Sequence, residues 1–163
     1  MKRLICDLDG CLFDNTWREH LIPEDKSRTE GWIEFNKACK DDPVISDTLD
    51  IVDCLMMHAN FDQLIFVTGR GIQAEEECKE ALEGTFLDYS VLIMRPESDH
   101  RKAVHFKRDV FSQLHIQPND VLVEDDPAII KMVQEEFPCY LISVPSKCSA
   151  VIRGDSQNGS EQK

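Results

Sequence analysis

No Cys-x-x-Cys pair occurs in the chain, and its seven cysteines, at positions 6, 11, 39, 54, 78, 139 and 148, are an odd number. Neither a zinc site nor a complete disulfide framework is signalled. Most of these cysteines stand among apolar residues, where they read as small buried hydrophobes, and a reducing cytoplasm suits them. No apolar run approaches the ~20 residues needed to cross a bilayer, so no membrane partner is expected. The opening "MKRLICDLDG" has basic residues, but its apolar run breaks at Asp7, too soon for a secretory leader. The phosphate-loop pattern G-x-x-x-x-G-K-S/T is missing, so ATP-driven kinase activity is not expected. Positive charge is scarce: 18 Lys and Arg against 31 Asp and Glu leave a net charge of −13. That balance opposes counterion-driven binding to nucleic acid, while leaving room for a local basic patch.

What is present suits one folded domain. At 163 residues and 42% hydrophobic content the chain has the means to build a sizeable core. The domain is expected over 1–148, followed by a disordered polar tail over 149–163. Strand and helix patterns alternate along it. Strands are expected over 2–8, 63–67 ("QLIFV", ended by "TGRG"), 90–94, 120–124 and 139–143. Helices are expected over 30–39, 46–58 (capped by Ser46 or Asp47), 72–83, 100–115 and 127–136. This alternation implies an α/β fold: a central parallel sheet covered by helices on both faces.

In such a sheet ligands bind beyond the carboxyl ends of the strands. Those ends carry Asp7, Asp9 and Gly10 after the first strand, and Thr68, Gly69 and Arg70 after the second. Glu124, Asp125, Asp126 and Pro127 follow the fourth. Carboxylates, a hydroxyl and cations then share one crevice. Crowded Asp7, Asp125 and Asp126 would repel one another unless a divalent cation stood between them, and hard oxygen ligands favour Mg²⁺. A carboxylate can attack phosphorus to form an aspartyl-phosphate. A second, two residues on along an extended segment, points the same way and can move protons. The residues therefore point to phosphoryl transfer.

The segments "DLDGCLFD", "FVTGR" and "VEDDP" resemble motifs I, II and IV of the haloacid dehalogenase (HAD) superfamily over about residues 2–145. The resemblance implies a three-layer Rossmann-like core and an Mg²⁺-dependent phosphatase. Within it, Asp7 is the nucleophile, Asp9 the acid/base and Thr68 a phosphate ligand. Asp7, the Asp9 carbonyl, Asp125 and Asp126 would form the metal site, the choice between the last two staying open. Cys11 stands where the family usually has Thr, and it reads as a small side chain filling that space. The stretch "IMRPESDHRKAVHFKRDVF" (93–111) resembles the phosphatase domain of phage polynucleotide kinase–phosphatase and its small standalone relatives. It implies Lys107 as the motif III lysine, with Lys102 as the alternative. Thr68, Gly69, Arg70, Arg95 and Arg101 are the expected substrate contacts.

The gaps between motifs leave no room for a folded cap domain, so an open site is expected. Residues 14–29 read as a lid or flap, Trp17 as a packing residue or a base-stacking platform, and Arg18, Arg70, Arg95 and Arg101 as a local cationic rim. The expected substrate is a nucleic-acid 3′-phosphate end. The alternatives are a mononucleotide or other small phosphate ester, and a non-catalytic phosphoacceptor domain.

Overall fold

The computed structural model describes residues 1–145. The expected tail, and the last three residues of the expected domain, lie outside that range. Five strands form one sheet: β1 (Arg3–Cys6), β2 (Gln63–Gly71), β3 (Val91–Arg95), β4 (Val121–Glu124) and β5 (Tyr140–Ser143). All neighbours pair in parallel, in the order β3-β2-β1-β4-β5. The chain winds outward from β1 to β3, crosses back to β4, and goes on to β5 at the far edge. The switch point therefore lies between β1 and β4, where an open α/β sheet leaves a crevice at the strand ends.

Alternating strand side chains feed two apolar layers. Leu4, Cys6, Leu64 and Phe66 face one, where they meet Val52, Cys78 and Leu82. These come from α2 (Ser46–His58) and α3 (Glu75–Glu83). Ile5, Ile65, Val67 and Leu122 face the other, against Phe106, Val110, Phe111, Ile129, Met132 and Val133. Those belong to α4 (Ala103–Gln113) and α5 (Pro127–Glu136). The result is the three-layer Rossmann-like arrangement read from the sequence.

Several boundaries differ from the sequence reading, each for a local reason. The "TGRG" stretch does not end the second strand: β2 runs through it to Gly71, with a register shift against β3 between Val67 and Gly71. Such an irregularity lets a strand re-aim its side chains at a site. The helix expected over 30–39 is a 3₁₀ turn (Thr29–Trp32), a short α1 (Ile33–Lys37) and a second 3₁₀ turn (Ala38–Asp41). Ile45, not Ser46 or Asp47, occupies the start of α2, with no side-chain cap. The helix α4 begins only after Lys102, whose backbone is extended. Between β1 and β2 the described residues form these turns, a further 3₁₀ turn (Thr16–Leu21), α1 and α2, and no separate cap unit.

Phe111 is fully buried and meets Phe137 edge-on, with ring centroids 5.8 Å apart. Phe111→Ala is expected to lower stability by about 3–5 kcal/mol, as large-to-small core changes do. Urea unfolding followed by circular dichroism checks this.

Candidate active site

The end of β1 turns sharply. The Leu8 carbonyl accepts the backbone N–H groups of Cys11, Leu12 and Phe13, and Leu8, Leu12 and Phe13 are buried beneath the turn. Gly10 has a left-handed φ of 78°. A Cβ there would come within 2.1 Å of Asp125 Oδ2. The glycine thus lets the turn bend and lets a carboxylate from β4 approach its backbone.

At the end of β4 the three acids have separate tasks. Glu124 is 1% exposed. Its Oε2 accepts from Lys107 Nζ at 2.6 Å, and its Oε1 accepts from the backbone N–H groups of Asp125 and Asp126 at 3.1 and 3.2 Å. Asp125 turns back over Gly10. Asp126 caps α5, its Oδ1 accepting from Ala128 N–H at 2.7 Å, with Pro127 at the first helical position.

Lys107 reaches the crevice from α4 and is 2% exposed. Its Nζ lies 2.9 Å from Asp7 Oδ1 as well, so one ammonium bridges Asp7 and Glu124. Burial would pull the Lys107 pKa down, but Asp7 and Glu124 outweigh it and hold the amine above its ordinary value. Burial raises the Asp7 carboxyl to about 7; Lys107 opposes the rise, and Glu124 and Asp9 add to it.

Ligand atoms of Asp7, Cys11, Glu124 and Asp125 all lie within 4.8 Å of one another. The carboxylate oxygens of this cluster are hard donors suited to Mg²⁺. Burial keeps the Cys11 thiol protonated, which makes its sulfur a poor ligand. Since Glu124 is committed to Lys107 and two amides, Asp7 and Asp125 are the carboxylates placed to hold a cation. Asp126 is absent from this group, because its side chain faces its own helix.

Asp9 enters a second buried network. Its Oδ1 accepts from Arg18 at 2.7 Å and from Arg70 at 2.8 Å, and its Oδ2 from Arg70 Nε at 3.1 Å. Both guanidiniums also bind Asp42 Oδ2, at 2.7 and 2.9 Å. Arg18 stacks over Phe35 at 4.0 Å. Arg18 and Arg70 are 0% and 1% exposed. Neither forms the surface rim that the sequence suggests: buried carboxylates draw them inward, because a buried charge needs an opposite partner. Trp17 likewise uses its Nε1 to bind Asp42 Oδ1 at 2.9 Å.

A cleft of about 260 Å³ opens beside Asp9. Gly69, Arg70 and Gly71 line it from β2, while Thr68 is fully enclosed, its Oγ1 accepting from Arg70 N–H at 3.2 Å. Arg95, at the end of β3, and Arg101, in the β3–α4 connection, also line it. Arg95 donates to the Arg101 carbonyl at 2.7 Å, and Arg101 pairs with Asp99 and Asp109.

Sequence reasoning assigned no role to Glu124 or Asp42. An acid closing the apolar run "VLVE" gives a signal, since burial there requires a cation nearby. Asp42 gives none, because its side-chain partners Arg18, Trp17 and Arg70 are 24, 25 and 28 residues away.

The fold and these strand ends define an α/β protein with an acidic crevice at its topological switch point. No family model matches the chain, and no curated protein matches it by sequence. Among solved structures it is similar to a chain of the Pnkp1/Rnl/Hen1 complex, with a TM-score of 0.70 and 24% identity over 89% of this chain and 46% of that one. A chain of the Pnkp1/Rnl/Hen1 RNA repair complex gives 0.68 and 22%, over 89% and 42%. The chain thus spans less than half the length of either, and the likeness shows the shared fold.

Two substitutions probe the crevice without any activity assay. Lys107→Met leaves Asp7 and Glu124 buried without their cation, and a loss of about 3–5 kcal/mol is expected from breaking such a pair. Thermal unfolding in EDTA reads it. Gly10→Ala puts an L side chain at positive φ, at about 1–3 kcal/mol, and drives Asp125 away. Divalent-cation affinity measured by calorimetry is expected to fall roughly 10-fold or more.

Proposed function

We propose that the protein is a HAD-type, Mg²⁺-dependent phosphomonoesterase acting on a nucleic-acid 3′-phosphate end. The observation that carries this reading is the meeting of Asp7, Lys107, Glu124 and Asp125 at the β1/β4 switch point. The fold shared with chains of RNA repair complexes supports the nucleic-acid side of it. The net charge of −13 and the small cleft favour a second reading, a mononucleotide or other small phosphate ester.

In this reading an Asp7 carboxylate oxygen attacks phosphorus and the ester oxygen leaves, taking a proton from Asp9. Water then attacks the aspartyl-phosphate as Asp9 accepts its proton, which returns Asp7 and releases inorganic phosphate. Lys107 holds the Asp7 carboxylate in place and offers positive charge to the phosphoryl oxygens as they gain charge. Asp7 and Asp125 would hold a divalent cation, which would further stabilise that charge. Asp9 accepts hydrogen bonds from the Arg18 and Arg70 guanidiniums.

Asp7→Asn is expected to lower kcat by about 10³-fold or more, the scale of losing a nucleophile. Near wild-type turnover would rule out the covalent route. The decisive assay compares 3′-phosphorylated oligonucleotides, nucleoside 3′- and 5′-monophosphates and sugar phosphates in Mg²⁺. Preference for the nucleoside monophosphates or the sugar phosphates would put the second reading ahead.

Metal binding should carry a pH signature. Without a cation Asp7 sits at about 7, so a cation on its carboxylate competes with a proton. Apparent Mg²⁺ affinity is therefore expected to rise with pH through that value and level off above it. Calorimetry between about pH 6 and 8.5 measures this, and a flat profile would remove Asp7 from the metal site.

A further inference from the structure

We propose that the cleft beside Asp9 is a second anion subsite, built to hold another phosphate of the same substrate one nucleoside away from the reacting one. The inference rests on the phosphatase reading above and names the recognition that reading leaves open.

The walls are two loops that carry cations toward one space: Lys26 from the segment before the Thr29–Trp32 turn, and Arg101 and Lys102 from the β3–α4 connection. Arg101 is already neutralised by Asp99 and Asp109. Among the described residues no carboxylate lies within ion-pair distance of the Lys26 or Lys102 ammonium. In a chain of net charge −13, two unpaired ammonium groups lining one cleft are a local reversal of sign. The reacting centre does not require them, because Asp7 already has Lys107.

The walls are also fastened to each other. Thr29 Oγ1 donates to the Glu97 carbonyl at 2.7 Å, and Thr29 N–H donates to His100 Nδ1 at 3.2 Å. Lys26 and Lys102 are therefore carried by segments clasped together before any ligand arrives, which lowers the ordering cost of binding. Trp32, half-buried and also lining the cleft, stands edge-on to Phe35 at 5.5 Å between centroids. Its indole supplies an apolar surface for a planar base. Phosphate-binding lysines, an aromatic face and Asp9 together fit a nucleotide with two phosphate groups better than a sugar phosphate with one.

The occupant of the subsite is thus either the 5′-phosphate of a nucleoside 3′,5′-bisphosphate or the internucleotide phosphodiester of a strand ending in a 3′-phosphate. Both present the same chemistry, and separate arms of the test distinguish them.

The test uses adenosine 3′,5′-bisphosphate, adenosine 3′-monophosphate and a 3′-phosphorylated dinucleotide with wild-type protein and the Lys26→Ala/Lys102→Ala double variant. The bisphosphate is first bound in EDTA, where its affinity is read by calorimetry. The expected result is a loss of about fivefold or more in the double variant, with a shallower dependence on salt. Equal affinity and equal salt slope in the two proteins would overturn the subsite. Turnover in Mg²⁺ is then compared as the ratio of kcat/KM for each two-phosphate substrate over the monophosphate. Wild type should favour at least one of them by about tenfold, and the ratio should collapse toward one in the variant. The arm that shows the larger collapse identifies the source of the second phosphate. A wild-type ratio near one for both substrates, with hydrolysis otherwise present, would refute the subsite and leave the phosphatase reading standing. Lysine-dependent binding with no hydrolysis of any phosphomonoester would instead refute the phosphatase reading and leave the subsite. Trp32→Phe adds a spectroscopic check: quenching of tryptophan emission by the bisphosphate should weaken in that variant.

Discussion

A single buried ammonium ties the crevice together. Lys107 stands between Asp7 at the end of β1 and Glu124 at the end of β4, and it reaches them from α4 on one face of the sheet. Three sequence-distant segments are thereby held at fixed distances. A buried pair or triad of this kind gains little net stability over an apolar packing, yet losing one member is costly. Its worth lies in geometry. Glu124 also receives the backbone N–H groups of Asp125 and Asp126, so the carboxylate that anchors the lysine shapes the β4–α5 joint too. Asp125 can then lean over Gly10, where any other residue would obstruct it.

A second charged group lies on the other side of the β1 exit. Arg18 and Arg70 hold Asp9 and share Asp42, balancing two guanidiniums against two carboxylates. The two clusters divide the aspartates of the "DLDG" turn between them: Asp7 faces Lys107 and Asp9 faces the arginines. This division follows from the turn after β1, which ends the extended run at Cys6, and from the cations beside each carboxylate, Lys107 at Asp7 and Arg18 and Arg70 at Asp9. The opposite end of the sheet uses charge differently. There Arg3 binds Asp120 and the Leu114 and His115 carbonyls, closing the helix end that leads into β4. That pairing serves the fold, far from the crevice.

The fold was largely legible in the sequence. Apolar runs such as "QLIFV" and "DVLVE" are short, bounded and separated by helical patterns, and burial on both faces of a parallel sheet demands that form. Helix limits were clear where a local signal exists, as at Asp126-Pro127, where a capping acid and an N1 proline both stop other conformations. They were unclear where tertiary contacts decide. The "TGRG" stretch reads as a turn by its glycines, but pairing with β3 at Gly71 keeps it in the sheet.

The same distinction separates what sequence and tertiary structure each determined about the candidate site. The sequence by itself placed Asp7, Asp9 and Asp125 beyond strands and Lys107 on a helix, where they are found, because local pattern sets the element and the element sets the edge; Thr68, read as lying past the second strand, is inside β2. Which of those groups touch was decided only by folding. The Lys107 amine bridges two acids, Glu124 takes part in the cluster in place of Asp126, and Arg18 and Arg70 turn inward to Asp9 instead of outward to solvent. Each outcome depends on burial. Inside the protein an ionised group finds an opposite partner within a few ångströms whatever its distance along the chain, and a linear sequence carries no record of that distance.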